Sequence, residues 1–110
     1  MTDRLLEELR LRFRETMAIR LRDMDTLLAT LARDPANGDA LATISRHFHA
    51  MVGLGATYGF PRISELGDEG EASSLILARS GSPVTPQLHA RWCELVAAAS
   101  GDLERGGTST

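Results

Sequence analysis

Residues 44 to 60 constrain this chain more than any other stretch: Ile44-Ser45-Arg46-His47-Phe48-His49-Ala50-Met51-Val52-Gly53-Leu54-Gly55-Ala56-Thr57-Tyr58-Gly59-Phe60. They read as one helix with two unlike faces. Each residue advances roughly 100° around a helix. With His49 set at zero, Arg46, Val52, Gly53 and Ala56 fall within about 60° of it. Ile44, His47, Met51, Leu54 and Tyr58 gather on the far side. That side is bulky and apolar, so it is the expected core face, and Phe48, Met51, Leu54 and Trp92 are expected buried with His49 exposed. The near side holds one imidazole among mostly small side chains. A solvated helix face normally carries Arg, Glu or Gln. A face reduced to Gly, Ala and Val leaves the ring open to a partner surface. Periodicity alone leaves two readings level: an ordinary surface histidine, and a histidine presented for chemistry.

The rest of the chain supplies helices to pack against it. Leu6, Leu9, Phe13, Met17, Leu21, Met24, Leu28 and Leu31 recur at three- and four-residue steps, which predicts helix over residues 3 to 33. From Leu9 to Leu21 every step is four, so the stripe drifts around the axis. A bend or break near Arg14 to Met17 is expected there, with a short leading helix before a longer second one. Asp34-Pro35-Ala36-Asn37-Gly38-Asp39 stops the helix, and the next begins at about Gly38. Gly59-Phe60-Pro61 ends that one, and Pro61 suits the first turn of a third. Its inward stripe is Ile63, Leu66, Gly70, Ser73 and Leu77. Gly67 and Gly70 each forfeit about 1 kcal/mol against Ala in a helix. Either they mark close helix packing or the helix frays there. Ser80-Gly81-Ser82-Pro83 is a loop. Thr85-Pro86 then supplies an N-cap and a first helical residue for the last helix, whose stripe is Leu88, Trp92, Leu95, Ala99 and Leu103. Residues 106 to 110 form a frayed tail.

No strand alternation and no repeat is present. The length of 110 residues suits a single domain, 1–110, with one core, and the apolar share of 43% is enough to fill it. The predicted fold is all-α: an up-and-down antiparallel four-helix bundle, with a short extra N-terminal helix as a variant. The formal net charge is −3, against the basic patch that nucleic-acid binding needs. All 12 basic residues are Arg, so no mechanism can use lysine. Cys93 is the only cysteine, which rules out an intramolecular disulfide. No apolar run has membrane-spanning length, and the N-terminus lacks a signal-peptide core. The expectation is a soluble, cytoplasmic monomer with no membrane partner.

His49-Ala50-Met51-Val52-Gly53, followed by Leu54-Gly55-Ala56-Thr57-Tyr58-Gly59-Phe60, resembles the phosphoacceptor helix of histidine-containing phosphotransfer (HPt) domains. The family's pattern is His, two variable residues, Lys, Gly, then small residues leading to an aromatic-Gly-Phe end. The resemblance implies a four-helix bundle and a phosphorelay intermediate in two-component signalling. His49 matches the phosphorylated histidine, and Gly53 the glycine that lets a receiver domain approach. Val52 stands where the pattern has Lys. The implied partner is a receiver domain of a response regulator or hybrid histidine kinase. The chain would bring no cofactor and no metal, with a divalent ion expected on the receiver, and would have no kinase activity of its own.

Around His49, Ser45 and Arg46 lie one turn earlier, and with Val52, Gly53 and Ala56 they make the expected phosphate- and partner-binding surface. Arg46 either replaces the missing lysine at the phosphate or is simply solvated; the two readings are level. His47 points to another face and is expected to be a neutral, hydrogen-bonded core or boundary histidine. His89 has no local partner in this reading, and Cys93 is expected to fill core. Asp68, Glu69 and Glu71 read as a solvated charged face. The rival to the relay is a helical adaptor that binds a receiver or kinase without being phosphorylated. A weaker third reading is a helical interaction module unrelated to signalling.

Overall fold

The computed structural model describes residues 3–106. They form four helices, α1 (Asp3–Arg33), α2 (Gly38–Thr57), α3 (Pro61–Ser80) and α4 (Pro86–Glu104), with no strand among the described residues. α1 packs against α2 and α4, and α3 packs against the same two. α2 and α4 therefore lie on one diagonal of an antiparallel bundle. The residues of the expected tail beyond Gly106 lie outside the described residues.

The helix boundaries follow local chemistry. Asn37 caps α2, its side chain accepting from the Ala40 N–H at 3.0 Å. Thr85 caps α4 in the same way from Leu88 at 3.1 Å, and Pro86 follows it. α2 ends in a Schellman turn: Gly59 takes φ 84°, and the Phe60 N–H reaches back to the Gly55 carbonyl at 2.8 Å. Gly59 is suited to that left-handed position because a Cβ would clash with the backbone there. Pro61 then starts α3 at once.

Two expectations change. α1 is one unbroken helix, with no separate leading helix. Phe13, Met17, Leu21, Met24, Leu28 and Leu31 are all buried along it. Each four-residue step overshoots a full turn by about 40°, and each three-residue step falls short by about 60°. The steps to Met24 and Leu31 thus return the stripe to the core. With 31 residues against 19 or 20 in the others, α1 outruns the bundle, and Leu6 near its start is 48% exposed. The core face of α2 is also rotated. Ile44 and Met51 are sealed as expected, but His47, Leu54 and Tyr58 are only half-buried. Phe48 is sealed as expected, and Leu41, Ser45 and Gly55 are sealed beside it. The cause is that α2 packs against two neighbours, and the tighter contact is with α3.

Gly67 and Gly70 settle that contact in favour of close packing. A Cβ on Gly67 would stand 2.7 Å from the Phe48 carbonyl oxygen and 3.0 Å from the Val52 nitrogen. A Cβ on Gly70 would run into the Phe48 ring. Phe48 is fully buried between Gly70 and Trp92, its ring centroid 5.9 Å from that of Trp92. Ser64 completes the contact by donating to the Val52 carbonyl at 2.7 Å. At the far end of the pair, Phe13 packs against both Phe60 and Tyr58, with centroids 4.8 and 5.2 Å apart. One core residue is polar. Asp102 is fully buried on α4 with no hydrogen bond to either carboxylate oxygen, and its nearest cation is Arg105 at 3.8 Å.

Glycine-to-alanine substitutions should change sign between the two faces of this pair. Gly53 has open space where a Cβ would go. Gly53→Ala should stabilise by up to about 1 kcal/mol, the helix-propensity gain. Gly67→Ala meets backbone atoms that cannot rotate aside, and overpacking of about 1–3 kcal/mol outweighs the same gain. Urea unfolding of the two variants measures this. A stabilised Gly67→Ala would mean that the helices part at no cost.

Candidate functional site

His49 stands on the outer edge of the α2–α3 pair, its side chain 76% exposed. Its Nδ1 lies 2.5 Å from Oε2 of Glu71 on α3. An ionised carboxylate can only accept, so Nδ1 carries the ring proton. In the neutral ring Nε2 is then the nitrogen with the lone pair, and no group among the described residues bonds to it. The pair therefore fixes the tautomer and the ring orientation, as a carboxylate does for an imidazole in many sites.

Glu71 was not among the residues expected to act; the sequence placed it with Asp68 and Glu69 on a solvated face. Asp68 and Glu69 keep that description, since both are exposed. Glu69 forms a forked pair with Arg91 of α4, at 2.5 and 2.8 Å. The Arg91 hydrogen bond holds the Glu69 carboxyl below its ordinary range. Glu71 owes its place to register. His49 and Glu71 are equally far along the chain from Phe60, the pivot of the α2–α3 hairpin. A tight antiparallel hairpin sets such positions side by side. That symmetry is the signal that could have found it.

The other expected site residues divide. Gly53 and Ala56 are exposed beside His49, and Val52 is half-buried at the edge of α3. Ser45 is 7% exposed, so it belongs to the packed side of α2 and not to a docking surface. Its angle on the wheel is close to that of His49, but α3 covers that flank. Arg46 is exposed, and its Nη2 donates to Thr43 Oγ1 at 3.1 Å. It makes no bond to His49. No three His, Cys, Asp or Glu side chains converge as a metal site among the described residues.

The remaining histidines have local tasks. Arg20 donates to His47 Nδ1 at 2.8 Å. Guanidinium has no acceptor, so that nitrogen is unprotonated and the ring neutral, as expected. His89 has partners after all, Leu28 and Cys93, and Cys93 is exposed and not core.

A family model of the Hpt domain matches residues 8–102. The chain belongs to the Hpt domain family. Hpt domains serve histidine phosphotransfer in two-component phosphorelays, as phosphocarrier modules that interact with receiver domains. No curated protein and no solved structure matches the chain. No helix among the described residues is long and apolar enough to cross a membrane.

Two measurements test this geometry. In Glu71→Ala the Nδ1–H tautomer of His49 loses its acceptor, so the imidazole 15N shifts should move from a single tautomer toward a mixture. Unmoved shifts would show that Glu71 does not select the nitrogen. For His47, burial pushes the pKa below its ordinary value, Arg20 and Arg46 add to that push, and Asp23 opposes it. The unfolded chain therefore takes up this proton first, at about pH 6.5. Stability from the neutral ring is complete above that pH and falls as the pH drops toward the lowered folded value. The stability of wild type over His47→Gln should shrink between about pH 7.5 and about pH 5. An unchanged difference would mean that the ring titrates alike in both states.

Proposed function

We propose that this Hpt domain is a phosphorelay intermediate that carries a phosphoryl group on His49 Nε2, to or from a receiver-domain aspartate. It has no kinase activity of its own, and the divalent ion of the reaction belongs to the receiver. The observation that carries the reading is the exposed His49 whose Nδ1 is held by Glu71, leaving Nε2 as the outward lone pair.

In the forward step Nε2 attacks the phosphorus of the aspartyl phosphate in line. The N–P bond forms as the P–O bond to the aspartate breaks, and the aspartate leaves as a carboxylate. The ring keeps its Nδ1 proton and becomes positive. Glu71, already bonded to that proton, offsets the charge. In the return step the aspartate attacks phosphorus and a neutral imidazole leaves, because the Nδ1 proton is still present. Glu71 thus serves both directions as a positioning residue. Positioning and charge do most of the work in phosphoryl transfer. Gly53 and Ala56 beside the ring leave room for the receiver to come within bonding distance.

Val52 makes this site unlike the family's pattern. A phosphorylated side chain carries roughly two negative charges at neutral pH. Val52 offers neither charge nor hydrogen bond to them, and Arg46 is turned to Thr43. That feature alone favours the second reading, an unphosphorylated adaptor that binds a receiver or kinase.

Transfer from a phosphorylated cognate receiver decides between them. Wild type should acquire acid-labile phosphate and His49→Gln none. Val52→Lys adds a charge-assisted contact of about 1–2 kcal/mol, so phosphoryl occupancy should rise by about one order of magnitude. Gly53→Gln should fold normally, since Gly53 faces open space, yet block transfer by standing before the ring. Equal labelling of His49→Gln and wild type would put the phosphate elsewhere. Robust binding with no labelling of wild type would select the adaptor.

A further inference from the structure

A phosphorylated histidine faces a proton problem that the free ring does not. With phosphorus on Nε2, the ring is a cation only while Nδ1 keeps its proton. From that cation the N–P bond breaks readily, because a neutral imidazole can leave. Once Nδ1 is bare, the leaving group would be an imidazolate, and the phosphoryl group is trapped. An unassisted imidazole loses its second proton near pH ~6.5, inside the physiological range. A relay histidine without help would therefore pass between labile and trapped forms over small changes of pH.

The charged groups around His49 act on this one proton. Nδ1 is 2.5 Å from Glu71 Oε2, and Glu71 is only 22% exposed, so water competes weakly for the contact. Arg46, one turn earlier on α2, is turned to Thr43. Asp68, one turn before Glu71 on α3, is exposed and has the same sign as Glu71. On α1, Arg20 bonds to His47 and Asp23 acts on that same ring, on another face of α2. α4 does not pack against α2. No cation among the described residues is bonded to His49 or Glu71.

We propose that the charge of Glu71 keeps the Nδ1 proton on phosphorylated His49 through the neutral and mildly alkaline range, so that the phosphoryl group stays releasable there, to a receiver or to water. The inference rests on His49 as the phosphorylated residue. Water has a path to the group, since the His49 side chain is 76% exposed and its neighbours Gly53 and Ala56 are small. In release to water, a water oxygen bonds to phosphorus as the N–P bond breaks. The electron pair of that bond stays on Nε2, the ring is left neutral with its Nδ1 proton, and phosphate carries off both water protons. The same charge works the other way in acid. There the ring is protonated with or without Glu71, and the carboxylate stabilises the cationic ring more than a transition state that is losing that charge. Glu71 therefore slows release at low pH and sustains it at high pH, which flattens the profile between them.

The test loads the full chain with phosphoramidate, a small phosphoryl donor to histidine, so no receiver is needed. After the donor is removed, phosphate loss is followed by 31P NMR from about pH 5.5 to about pH 9, a range that brackets the ordinary imidazole value. Glu71→Gln is the informative variant. Its amide oxygen still accepts from Nδ1–H, so the ring stays oriented while the charge is gone. At the alkaline end Glu71→Gln should release phosphate roughly fivefold to tenfold more slowly than wild type, the effect of one charge-assisted bond. At the acid end it should release as fast or faster, so the two profiles cross. A purely structural role would move both ends in the same direction. His49→Gln corrects for phosphate held elsewhere. Profiles that run parallel, or a wild-type rate that falls with pH as steeply as that of Glu71→Gln, would overturn the proposal. So would no uptake by wild type, or equal uptake by His49→Gln. Crossing profiles in a chain that no receiver can load would uphold this inference and sink the relay reading.

Discussion

The close contact of α2 with α3 through Gly67 and Gly70 is what the site depends on. A side chain at either glycine would have to occupy the space of the Phe48 carbonyl or the Phe48 ring. Their absence lets the two helix backbones approach closely. That approach fixes register as well as distance. Phe48 is locked between Gly70 and Trp92, and His49, the next residue, is then delivered to Glu71. α3 is tied in turn from its other side. Arg91 grips Glu69, and the Trp92 indole N–H donates to Ser73 at 2.9 Å. A helix proton donor, a forked ion pair and two missing side chains thus act together on the position of one carboxylate.

The charges at the site are distributed unusually for phosphate chemistry. The chain has no lysine, and the one charged group bonded to His49 is an acid. Glu71 can offset the positive ring but not the phosphate. On the relay reading, the phosphoryl oxygens must find their donors on the receiver and its metal ion. The helix surface beside the ring contributes little beyond the space left by Gly53 and Ala56. Such a site recognises its partner through access and ring orientation, and leaves electrostatic stabilisation of the transferring group to that partner.

Much of the fold was legible before any tertiary information. Asn37, Pro61, Thr85 and Pro86 mark helix starts because each meets the unsatisfied N–H groups of a first turn by local chemistry. Gly59 marks an end because one positive φ is needed there. Phe48, Met51 and Trp92 were expected inside and His49 outside, and they lie so. The misplacements share a cause. Ser45, Leu54 and Cys93 were assigned from the wheel of a single helix, and a wheel does not say from which side the neighbours come. α3 covers the Ser45 flank of α2, while Cys93 turns to solvent at the edge of α4. The break expected in α1 failed for a local reason instead: later three-residue steps restored its stripe.

The sequence by itself determined the helices, their ends, the antiparallel order and the exposed histidine, because each rests on interactions between residues within a few positions of one another. Tertiary structure alone decided which nitrogen of that histidine is free. The decision comes from Glu71, 22 residues further on. Its reach depends on how closely two helices pack, and that spacing is set by the side chains Gly67 and Gly70 do not have.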